Sequence, residues 1–150
     1  MSLYSIALFV HVVGAVLLFV LLTVEGIGIR SGTGRAQMGR VLGPITAALI
    51  LIAGFYMAAQ TGWHAWTAVG LVSYLAIAGL GAYTGISFAR GRISRSAATL
   101  SWLTRAGIAL GVLFDMTVKP DAIPAVLAVV VAAALGALSA IPTRRLVRAQ

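Results

Sequence analysis

The chain contains no cysteine in its 150 residues, which excludes disulfides, thiolate metal sites, iron–sulfur ligation and cysteine nucleophiles in any compartment. Charge is also scarce. Only 9% of positions are charged, three of them acidic (Glu25, Asp115 and Asp121), whereas 61% are hydrophobic. Soluble domains average about 25% charged and about 45–50% apolar residues. A net charge of +8 would in a soluble domain suggest nucleic acid, but here the basic residues punctuate long apolar runs and form no basic face, which argues against DNA or RNA. With a mean hydropathy of +1.04, the composition is that of an integral membrane protein in contact with the lipid bilayer.

What is present is a series of apolar runs, each long enough to cross about 30 Å of hydrocarbon at about 1.5 Å per residue. Five spans are predicted, at about 4–29, 41–60, 66–89, 100–118 and 122–142. The fold class is therefore all-α, a single transmembrane helical bundle with no room for a soluble domain. Proline marks the ends in this reading. Gly43-Pro44 opens the second span, Lys119-Pro120-Asp121 with Pro124 separates the fourth from the fifth, and Pro142 closes the fifth. The first segment lacks a basic n-region and a small-residue cleavage pattern, so it reads as a retained span. The tail carries no lipidation signal.

Basic residues orient the bundle, because Lys and Arg are retained on the cytoplasmic side. Arg30, Arg35, Arg40, Arg90, Arg92, Arg95, Arg144, Arg145 and Arg148 all fall on one side and Lys119 alone on the other. This predicts the N-terminus outside and the C-terminus in the cytoplasm of a bacterial cell, with Tyr4, Trp63 and Trp66 at the outer rim and Phe88 and Trp102 at the inner. Small residues supply packing stripes: Ser73, Gly81 and Gly85 beside Ile77 in the third span, Gly107 and Gly111 in the fourth, Ala132, Gly136 and Ala140 in the fifth. They serve contacts within one subunit or with a second copy or another membrane protein, and the pattern leaves both open. No internal repeat points to an inverted-repeat transporter.

Four ionisable residues lie inside predicted spans: His11, Glu25, Arg105 and Asp115. Each is costly in hydrocarbon and so marks a functional or structural need. His11 and Glu25 stand about 40° apart around the first helix at 100° per residue. Topology places His11 and Asp115 in the outer leaflet and Glu25 and Arg105 in the inner one. Pairing with Glu25 is the simplest way to compensate Arg105, with Arg30 as a competitor. His11 is open to three roles: a heme or metal ligand, a proton-relay group, or a neutral imidazole bonded across helices to Tyr, Thr or Asp115. Met57 and Met116 lie at similar depth and complete a His/Met axial set for a b-type heme. A zinc set of His11, His64 and Asp115 is one ligand short. Glu25 and Asp115 lie too far apart in depth for paired-carboxylate chemistry, and no nucleophile elbow is present.

The opening Ala7-Leu8-Phe9-Val10-His11-Val12-Val13-Gly14-Ala15-Val16 resembles the start of several small bacterial polytopic families. These are the copper-resistance-D-like membrane domain, the membrane-embedded protoporphyrinogen oxidase, and a group of membrane proteins of unknown function. The resemblance continues through Met38-Gly39-Arg40, the arginine-rich 90–95 connection and Thr117-Val118-Lys119-Pro120. In the oxidase family the first-span histidine is a heme ligand, and the resemblance implies that role for His11. The family's tryptophan after that histidine is replaced by Val16-Leu17-Leu18, its Asn-Glu-Pro reads Thr104-Arg105-Ala106, and a fifth span is added. The oxidase reaction is therefore not carried over. Two other classes remain: a small transporter or channel with Glu25, Arg105 and Asp115 along a pathway, and an accessory subunit of a larger membrane complex.

Overall fold

The computed structural model describes residues 2–32 and 36–141. Five helices follow one another with no strand among the described residues: α1 (Leu3–Ser31), α2 (Ala36–Thr61), α3 (Ala65–Ala89), α4 (Arg95–Val118) and α5 (Ala122–Leu138). The first four are long and apolar enough to cross a membrane; α5 is an equally apolar helix of 17 residues. At about 1.5 Å per residue α5 spans about 26 Å. The arginines Arg35, Arg144, Arg145 and Arg148, and Pro142, lie outside the described residues.

Local chemistry sets the helix ends. Ser2 caps α1 by accepting the Ser5 N–H, and Ser94 caps α4 by accepting the Ala97 N–H. Because of that second cap α4 begins at Arg95 rather than near residue 100, so Arg95 belongs to its first turn. At the other end of α1, Gly32 takes φ +69°, the left-handed value that stops a helix. The proline reading needs one correction. Pro44 does not open a helix: α2 starts at Ala36 and runs through it. Proline removes one ladder bond, and here that loss falls two turns into α2 at an exposed position, ahead of most of the apolar run Val41–Thr61. At the α5 terminus the Ser139 hydroxyl donates to the Gly136 carbonyl at 2.6 Å, and the helix gives way to a turn before residue 142.

Packing divides the bundle into two bodies. α1 lies along α2, and α4 is sandwiched by α3 and α5; the α1–α4 contact joins the halves, while α2 barely touches α3. The seam is filled by Leu22 of α1, Ile77 of α3, and Ile108 and Ala109 of α4. The closest approach is between α4 and α5. A Cβ at Gly107 would collide with the Ala132 carbonyl, one at Gly111 would lie 2.7 Å from the Val129 Cα, and one at Gly136 would collide with the Leu103 carbonyl. Backbone meets backbone there, which is how small residues hold helices together in lipid. The exterior is apolar instead, with Phe9, Val16, Ile52, Val72 and Leu135 all exposed, as expected of surfaces facing acyl chains. In α3 the stripe is split. Ser73 and Ile77 are buried and Gly81 faces Arg105, but Gly85 meets nothing.

Candidate functional site

Where α2 draws away from α3, the four long helices line a partly open cavity of about 600 Å³, apolar over most of its wall. His11 of α1 lines it. The His11 Nδ1 lies 3.0 Å from the Ile50 carbonyl oxygen, and since a carbonyl only accepts, Nδ1 carries the proton and donates. In the neutral imidazole Nε2 is then the lone-pair nitrogen, and it has no protein partner among the described residues. Gly54 permits this arrangement, because a Cβ there would stand 3.3 Å from the imidazole ring. The sequence expectation of a bond from His11 to Tyr, Thr or Asp115 is thus replaced by a bond to backbone.

Met57 and Met116 both line the same cavity. They come from opposite sides. Met57 lies one turn beyond Gly54 on the α1–α2 wall, whereas Met116 belongs to the α3–α4 wall, where its methyl group sits against Gly70. Tyr74, buried at 7% exposure, also lines the cavity, and its hydroxyl has no partner among the described residues. Of the three threonines on the wall, Thr61 and Thr117 donate their hydroxyl protons to the Met57 and Leu113 carbonyls of their own helices, and Thr67 is the third. Lys119 stands at one end of the cavity beside Trp66, with its Nζ 5.6 Å from the indole centroid. It also caps α4 at φ 53°, a left-handed conformation that is unusual for a side chain other than Asn or Asp.

The other intramembrane ionisable residues lie elsewhere. Arg105 makes a two-pronged pair with Glu25, with Nη1 to Oε2 at 2.8 Å and Nη2 to Oε1 at 2.5 Å. Arg30, the expected competitor, instead stacks over Trp102 at 5.5 Å. Trp102 in turn donates its indole N–H to the Leu22 carbonyl at 2.6 Å and lies against Gly26, which places it between α1 and α4 rather than at a lipid-facing rim. Asp115 is fully buried with neither carboxyl oxygen bonded. It stands one turn beyond Gly111, past the close α4–α5 contact. Glu25, Arg105 and Asp115 line no part of the large cavity. His64 is held by the Thr61 carbonyl at 3.3 Å and stacks on Trp66, apart from His11. Among the described residues no three His, Cys, Asp or Glu side chains gather as a metal-binding group.

The fold and cavity therefore define a helical protein with four helices fit to cross a membrane and a ligand-sized, largely apolar chamber, partly open, between them. Compared with protein families, curated proteins and solved structures, the chain matches none. Sequence reasoning missed Tyr74, Gly54 and Gly70 as parts of the chamber. For Tyr74 one usable signal existed: it stands three residues before Ile77 and seven before Gly81, the helical spacing of the buried face of α3. The two glycines carried none, because what they make room for comes from other helices.

Proposed function

We propose that this chain is a polytopic protein of the bacterial cytoplasmic membrane that binds a b-type heme, with His11 Nε2 as a ligand to its iron. The observation that carries the reading is the His11–Ile50 bond. Histidines that ligate metals commonly donate their other ring N–H to a carbonyl, which fixes the tautomer and aims the free lone pair. The chamber is of a size suited to a small-molecule cofactor, and its donor set of one imidazole and two thioethers fits heme iron better than zinc or a hard cation. Of the two methionines we assign Met116 as the second donor, because it comes from α4, whereas Met57 shares the α1–α2 side of the cavity with His11. When bound, the group would supply one-electron exchange; His11 and Met116 would hold it and the apolar wall would pack against it. The same reading carries five spans, an outer N-terminus and a cytoplasmic C-terminus.

Absorption spectra of detergent-purified protein, oxidised and dithionite-reduced, test the proposal after expression with heme precursor. A stoichiometric Soret band is expected in the wild type and lost in His11→Ala, with Met116→Leu altering the reduced bands and Met57→Leu leaving them. A colourless wild-type protein that also takes up no added hemin would overturn it.

A further inference from the structure

We infer that the ligand of the chamber carries a carboxylate, and that Lys119 recognises it. The inference rests on the reading of the chamber as a ligand site and names the chemical class of what enters: an apolar body with an acidic head. Lys119 is the only lysine in the chain, and from an exposed position after α4 it lines the largely apolar cavity. The Arg105–Glu25 pair is the only ion pair among the described residues, so the Lys119 ammonium is not neutralised by a protein carboxylate there. It lies over the Trp66 face, which steadies a cation without satisfying its N–H donors. His11 and Lys119 thus offer a lone pair inside the chamber and a cation at its end, and the propionates of a heme would match the second. A long-chain carboxylate would use the same cation, so the two sources need separate probes.

The test uses the full chain in phosphatidylcholine nanodiscs, as wild type and Lys119→Met. Four probes are titrated: hemin and hemin dimethyl ester by Soret absorbance, and cis-parinaric acid and its methyl ester by fluorescence. A charge-assisted hydrogen bond predicts that Lys119→Met weakens at least one acid about tenfold while its ester binds both proteins alike. Equal effects on acid and ester, no effect on either acid, or no binding of either acid to the wild type would each overturn the inference. The heme reading fails separately. Absence of a Soret band with lysine-dependent binding of parinaric acid would remove the heme and keep the carboxylate site, whereas a Soret band indifferent to Lys119→Met and to esterification, with parinaric acid equally indifferent to the lysine, would do the reverse.

Discussion

Arg105 on α4 and Glu25 on α1, 80 residues apart, share two parallel hydrogen bonds, yet they are unequally sheltered: the Arg105 side chain is 3% exposed and that of Glu25 is 29% exposed. Such a pair is costly to break because the remaining charge stays buried. The cost therefore depends on which partner is left. Glu25→Leu strands a sheltered guanidinium whose Nε already lacks a partner, and its expected cost is on the order of 3 kcal/mol. Arg105→Met leaves a carboxylate that reaches its surroundings more easily, so it should cost less. The double variant should recover most of the loss. Denaturant unfolding of the detergent-solubilised protein measures all three, and equal losses in the two single variants would contradict the asymmetry.

The glycines of α4 and α5 make a second prediction from geometry. A methyl at Gly107 or Gly136 would run into backbone carbonyls, which cannot swing aside as a flexible side chain can. Gly107→Ala and Gly136→Ala should each destabilise by about 1–3 kcal/mol, the usual range for overpacking. Gly79 and Gly85 face open space. Alanine there should be neutral or stabilise by up to about 1 kcal/mol through helix propensity. The comparison is made by unfolding in the same detergent, and a loss at Gly85 matching that at Gly107 would count against the α4–α5 packing.

The contrast between Gly81 and Gly85 shows where the sequence stops being informative. Both stand on a four-residue stripe with Ser73 and Ile77, but a helix advances about 400° in four residues, so the stripe drifts off the contact face. The helices themselves were legible, since only long apolar runs satisfy the backbone in hydrocarbon. Their ends were less so. Proline normally signals a helix start, and Pro44 is accommodated inside α2 instead. The Glu25–Arg105 pair could be anticipated from shared depth and the cost of an isolated charge. The His11 partner could not, because every residue has a backbone carbonyl and nothing in the identity of Ile50 distinguishes its own. Lys119 was visible as an end signal, but its place in the chamber depends on how α3 and α4 meet.

The fifth helix decides the orientation of the tail, and it is the shortest. α5 has 17 residues, against 24 to 29 for α1, α3 and α4. A helix of about 26 Å crosses a hydrocarbon core of about 30 Å only with help from flanking residues or local thinning. Its contacts favour a crossing all the same: α5 runs beside α4 from Ala125, past Val129 and Ala132, to Gly136 opposite Leu103. The nine-to-one division of basic residues gives the same answer, since an even number of spans would put the tail arginines outside. A reporter active only in the cytoplasm should therefore be active when fused after Gln150 and inactive when inserted between Gly62 and Trp63. An insertion after Gly91 should again be active. Activity at Gly91 with none at Gln150 would mean that α5 does not cross, and the first four helices would then hold the chamber alone.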